Sequence, residues 1–208
     1  MTKPVTGVAA MMLVEGGRIA LDQAVAEVVP EFRSLRVATD IEKGLSGRPA
    51  TKTMTMRHLL MHTSGLSYWT PLSGARALPT AYRERGITPG NYGTRLNRPG
   101  YGPQVRNLTE MVERVAELPL LCEPGTAYNY SIGLDVMGLV IERVTGKGFD
   151  RFLRRASSIR AGTDSALARA WCLMGATDVS ARWAVLAGAA LPAQSGGSTP
   201  RAGETWYL

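Results

Sequence analysis

The opening stretch constrains this chain more than any other part of it. Val8, Met11, Met12 and Leu13 recur at helical spacing within the first sixteen residues, and Gly16-Gly17 ends the run. The pattern predicts a helix with one apolar face, so the rest of the chain must supply a cover for it. Lys3 stands near the start of that helix. Positions i and i+3 share a helix face, so its amine reaches a side chain placed one turn earlier. On composition alone a lysine near a terminus is a solvated charge; only motifs elsewhere in the chain can give it more meaning.

Three stretches occur in order: Thr2-Lys3-Pro4-Val5-Thr6-Gly7, Arg57-His58-Leu59-Leu60-Met61-His62-Thr63-Ser64-Gly65-Leu66, and Glu123-Pro124-Gly125-Thr126-Ala127-Tyr128-Asn129-Tyr130-Ser131. Together they resemble the serine β-lactamase-related hydrolases, in particular the class C β-lactamase and family VIII carboxylesterase branch. The resemblance covers residues 1–153 and implies an α+β, β-lactamase/transpeptidase-like fold. This sequence reads as mainly the helical region of that fold, with most of the antiparallel sheet missing. Two regions are expected: a partial serine hydrolase domain over 1–153, and an unrelated tail rich in Ala, Arg and Gly over 154–208. The tail is either a disordered extension or the product of a frameshift in a GC-rich gene.

The resemblance also implies a chemistry. Lys3 takes the place of the lysine in an S-x-x-K box, whose serine would fall one residue ahead of Met1. The chain is therefore expected to be truncated before its nucleophile and inactive as it stands. The alternative is a catalytically dead fragment or a non-catalytic binding remnant of the family. In the implied mechanism the serine attacks an ester or β-lactam carbonyl, a neutral lysine takes its proton, and an acyl-enzyme forms. Tyr130 falls in the family's Tyr-x-Asn box, where its phenol passes the proton toward the leaving group. Ile132 replaces the asparagine of that box, which removes one polar contact to Lys3 or substrate. Tyr128 matches a structural aromatic. The third box of the family, a Lys-Thr-Gly, His-x-Gly or Trp-x-Gly strand, is absent, and with it one backbone donor of the oxyanion hole. No metal or cofactor is implied. The expected partner is a small-molecule ester or β-lactam, and nothing separates esterase from lactamase or peptidase.

Other readings fare worse. A formal charge of +7 invites nucleic acid, but the arginines are scattered and no basic run is interleaved with aromatics. His58 and His62 stand four apart, a two-ligand spacing, yet the glutamate of H-E-x-x-H and a third ligand are missing. Ser64 has no G-x-S-x-G elbow and no lysine three residues on, so it reads as a cap or turn hydroxyl. Cys122 and Cys172 lack metal or redox spacing and read as free thiols or packing residues. No apolar run is long enough to span a bilayer, and no signal peptide opens the sequence. That leans toward the cytoplasm, unless a leader precedes Met1. The oligomeric state is left open.

Element by element, residues 22–32 mix short helix and turn, 35–39 is extended, and 44–49 is loop. Thr55 caps a helix that buries Met56, Leu59 and Leu60 and ends where Gly65 supplies the helix-stopping backbone. A long loop over 67–104 carries Trp69, Tyr82, Tyr92 and Tyr101, which either line a cleft or pack locally. Asn107 or Thr109 opens a helix to Leu118, with Met111, Val112 and Val115 apolar. Ser131 opens another, with Leu134, Met137, Gly138, Val140 and Ile141 on its face, ending at Thr145-Gly146, and Asp150 caps a last short one to Leu153. With most of the sheet missing, the faces at Val8–Leu13 and Leu134–Ile141 are expected to be left exposed.

Overall fold

A computed structural model describes residues 3–40, 44–70, 77–88 and 100–153. Nearly all of them belong to one compact unit, residues 2–149; of a second unit, only Asp150–Leu153 is described, as helix. The tail expected over 154–208, together with Cys172 and Tyr92, lies outside the described residues.

The core is built on a helix near the end of the unit. Helix α1 spans Lys3–Glu15, strands β1 and β2 span Arg36–Ala38 and Gly47–Pro49, and helices α2, α3, α4 and α5 span Met56–Leu60, Ala77–Glu84, Leu108–Ala116 and Gly133–Thr145. Single 3-10 turns occupy Val25–Glu27 and Pro30–Ser34. Helix α5 packs against α1, α2 and α4. With three neighbours it is buried nearly all round, at Leu134, Val136, Met137, Leu139, Val140 and Ile141. Fully burying each such side chain contributes about 1.5–3 kcal/mol before the entropy of ordering it is set against that. Gly133 lets α2 come close, since a Cβ there would lie 2.8 Å from the Leu59 carbonyl oxygen. Gly146 ends α5 in the left-handed conformation, as Gly17 does two residues beyond α1.

The expectation that the Leu134–Ile141 face is left uncovered is thus overturned, because α1, α2 and α4 cover it between them. The face of α1 also differs from the expected one. It buries Thr6, Ala9, Ala10 and Leu13, spaced i, i+3, i+4 and i+7, and leaves Val8 and Met11 exposed. Two alanines allow the close approach to α5 that larger side chains would prevent.

Three further corrections concern the loops. Gly47–Pro49 is a strand, antiparallel to β1 with Val37 opposite Arg48. The stretch 67–104 contains helix α3, and its Tyr82 is a core residue whose hydroxyl accepts the Ser67 backbone N–H. Helix α2 ends at His62 and not at Gly65. His62 adopts a φ of 56°, its N–H meets the Leu59 carbonyl, and the Thr63 N–H reaches back to the His58 carbonyl at 2.9 Å. Those bonds form a Schellman motif with a histidine in the seat usually given to glycine. Leu60, at the end of that helix, is only half-buried.

Gly65 has a different task. The segment 62–67 runs beside the loop 120–132, with Leu121 N–H on Gly65, Gly125 N–H on Thr63, Asn129 N–H on His62 and Ile132 N–H on Ser67. At Gly65 the two backbones nearly touch: φ is 79°, and a Cβ would stand 2.3 Å from the Cys122 carbonyl oxygen. The loop is anchored at its start by Glu123, which accepts from Arg48, the Thr51 backbone and hydroxyl, and the Lys52 N–H. Desolvation opposes the charge of Glu123 most, yet those donors outweigh it and hold the carboxyl down to about 2.

Gly65→Ala should therefore destabilise the protein by more than about 2 kcal/mol, since left-handed strain and a backbone overlap act together. Urea denaturation checks it; a loss below about 0.5 kcal/mol would mean that the paired segments separate freely.

Candidate active site

Helix α1 begins at Lys3, and the lysine Nζ lies 3.4 Å from Oδ2 of Asp135 on α5. The two side chains are 22% and 33% exposed, so the pair is only partly screened by water. The helix ends explain why these charges meet. Asp135 sits in the first turn of α5, where partial positive charge favours an anion. Lys3 sits at the same end of α1, where no acidic residue of its own first turn offsets it. Asp135 supplies that balance across the helix interface.

Two phenols face the same amine. The Tyr130 ring centroid is 5.3 Å from Lys3 Nζ and that of Tyr68 is 5.7 Å, both within cation–π range. The two rings meet edge to face at 5.3 Å. Tyr130 is 37% exposed, and among the described residues its hydroxyl makes no hydrogen bond. The ring is held on several sides while the residue keeps part of its surface in solvent. One of those sides is His62, which stacks on Tyr130 at 4.8 Å with 29° between the planes. Tyr128 meets His62 edge-on at 6.1 Å and is largely exposed.

The structure brings Lys3 and Tyr130 together and adds Asp135, Tyr68 and His62 around them. Asp135 belongs to none of the three sequence motifs. Ile132 is buried, and Asp135, one turn further on, makes a contact to Lys3. Its one sequence signal is an acid in the first turn of a helix that is otherwise apolar as far as Ile141. The corresponding signal for Tyr68 is an aromatic just past the His62-Thr63-Ser64-Gly65-Leu66 run.

Other candidates have structural roles. Ser64 is fully buried, and its Oγ accepts the Leu66 N–H at 3.4 Å, a turn hydroxyl as expected. His58 caps the start of α2, accepting the Thr55 N–H on Nδ1 at 3.2 Å. His62 Nδ1 accepts the Ser131 N–H at 3.2 Å and lies 3.3 Å from the Ser131 hydroxyl. The two histidines therefore face different partners, and among the described residues no group of three His, Cys, Asp or Glu side chains could hold a metal. Cys122 is half-buried and free. No helix among the described residues is long and apolar enough to cross a membrane.

Burial lowers the pKa of both histidines from 6.5; Arg57 and Lys52 add to this at His58, and Lys3 at His62. Asp22 and Asp135 respectively pull the other way without reversing the shift. A group whose folded pKa is depressed withholds protons that the unfolded chain binds, so stability falls as pH drops below about 6.5. Denaturation at about pH 7.5 and 5.5 should show lower stability at the acidic value, and replacing both histidines should flatten that difference. An unchanged slope after replacement would place its origin elsewhere.

Comparison with known proteins bears on this site. The Beta-lactamase family model matches residues 1–167. The chain is 38% identical over 146 residues to Esterase EstB of Burkholderia gladioli, covering 70% of this chain and 31% of that protein. It is 36% identical to Acyltransferase calJ of Penicillium decumbens, covering 70% of this chain and 30% of that protein. Among solved structures it is similar to EstCE1, a hydrolase with promiscuous acyltransferase activity, at a TM-score of 0.58 and 27% identity over 77% of this chain and 36% of that one. The chain thus spans about a third of the length of the curated relatives it matches.

Proposed function

The chain belongs to the Beta-lactamase family, and from that premise we propose that it carries the proton-transfer half of a serine hydrolase that cleaves esters through an acyl-enzyme. The observation that carries this reading is the convergence of Lys3 with Asp135, from 132 positions away, and with the exposed phenol of Tyr130. That amine and phenol are the two groups that the reaction's proton transfers require. Similarity to an esterase and to acyltransferases favours an ester over a β-lactam.

The serine belongs one helical turn ahead of Lys3, at the position before Met1. Its Oγ attacks the ester carbonyl carbon while its proton passes to the amine of Lys3, which must shed its own proton before this step. The tetrahedral intermediate collapses with cleavage of the C–O bond, and the proton reaches the departing alkoxide through the Tyr130 phenol. Water, or a second alcohol, then attacks the acyl carbon and loses its proton to the same pair; the acyl C–Oγ bond breaks, and that proton passes to the departing serine oxygen. Asp135 holds the amine in place between these steps. Tyr68, against both Lys3 and Tyr130, forms an aromatic wall for the acyl or alcohol part of the substrate.

In a full-length form with a serine three residues before Lys3, Lys3→Ala and Tyr130→Phe should each slow acylation by about 10²–10⁴-fold, with little change in KM. Pre-steady-state release of nitrophenol from an ester measures the step. Unaltered acylation in either variant, or fluorophosphonate labelling of Ser64 in place of the upstream serine, would overturn the assignment.

A further inference from the structure

We infer that His62 is a positioning residue for Tyr130, holding the phenol in place only while its imidazole is neutral and carries its proton on Nε2. This rests on the reading of Tyr130 as the proton carrier, and it goes beyond that reading by placing a second titrating group behind it.

The first observation is backbone conformation. His62 takes a left-handed φ of 56° that costs an ordinary residue about 1–2 kcal/mol. That strain fixes where the side chain leaves the chain. The Asn129 N–H on the His62 carbonyl at 2.8 Å ties the same residue to the loop that bears Tyr130. The imidazole is therefore set by its own backbone and by the loop it faces.

The second observation is the ring's hydrogen bond. Ser131, next to Tyr130, donates its backbone N–H to His62 Nδ1 at 3.2 Å. An Nδ1 that accepts has no proton, so the neutral ring carries it on Nε2. Protonation puts N–H on Nδ1 as well, and two donors then face each other. The Ser131 hydroxyl at 3.3 Å, which accepts the Gly133 N–H at 3.2 Å, can accept from that new N–H with its second lone pair, but this does not restore the bond from the Ser131 backbone N–H. The bond that anchors the residue after Tyr130 is lost in either case.

The third observation is the surrounding charge. The groups that face the ring are Lys3 from α1, Asp135 from α5, and the phenols Tyr128 and Tyr130 from the loop. Lys3 repels an imidazolium and Asp135 attracts it, but Asp135 already bonds Lys3. A cation in the stack would also compete with Lys3 for the face of the same phenol. Neutral His62 and ordered Tyr130 thus go together.

The chain contains only two histidines, so the test is direct. In the 208-residue protein, His62 Cε1–H, the Tyr130 ring and the Ser131 amide are followed by NMR from about pH 8 to about pH 5. All three should titrate with one apparent pKa below 6.5, and His58→Gln should leave that titration in place. His62→Asn, which tolerates the left-handed backbone, should abolish it at Tyr130 and Ser131. In the serine-bearing full-length form the same substitution should lower kcat about 10- to 100-fold with KM little changed, and should remove the matching acidic limb of the pH–rate profile. A Tyr130 signal that ignores the His62 titration, or survival in His62→Asn of the acidic limb that matches the His62 titration, would overturn the inference. Coupled titration alongside full activity of Tyr130→Phe would uphold the positioning and sink the catalytic reading of Tyr130 instead.

Discussion

The backbone pairing between segment 62–67 and the loop 120–132 sets the geometry of everything around Lys3. Hydrogen bonds at Gly65, Thr63, His62 and Ser67 hold the loop in register, and the absence of a side chain at Gly65 lets the two stretches of chain nearly touch. Because Tyr130 and Ser131 lie at the far end of that pairing, their positions depend on it. Glu123 fixes the near end through Arg48, Thr51 and Lys52. The adjoining Leu120 takes its place beside β1, with its N–H on Arg36 and its carbonyl accepting from Ala38. A loop without regular structure of its own is thus as constrained as a strand.

Helix α5 provides the second support, and the two work together. Its buried faces meet α1, α2 and α4, and its first turn carries Asp135 out to Lys3. The amine therefore rides on one helix, its carboxylate on another, and the phenol on the loop between α4 and α5. None of these can shift far without opening the core, which is how a partly exposed ion pair keeps a defined geometry that a surface pair would lack.

Much of this is legible in the sequence wherever a local signal controls the outcome. The helix from Asn107, its Met111, Val112 and Val115 face, and the Gly146 stop come from capping and periodicity, and the structure has them. Lys3 and Tyr130 are marked by ordered motifs, and they do converge. Legibility fails where tertiary contact decides. Hydrophobicity alone puts Val8 and Met11 on the buried face of α1, but close approach to α5 selects Ala9 and Ala10. Glycine is the usual helix stop, which points to Gly65 for α2, whereas the nearby loop requires that glycine and a histidine makes the stop. Asp135 is inconspicuous because a single acid at a helix start is ordinary until its partner, 132 residues away, is placed beside it.

That separation has a consequence for how the protein comes into being on the ribosome. Lys3 is made before Asp135, and the helix that supplies its carboxylate follows only 132 residues later. At about 5–20 residues per second, α1 waits roughly 7–26 s for its partner, with Ala9, Ala10 and Leu13 bare in the meantime. The two alanines suit that interval on the face that waits, because they present less apolar surface there than leucines would. The small side chains that let two helices approach closely in the finished molecule thus also limit what that one face presents during the delay before they meet.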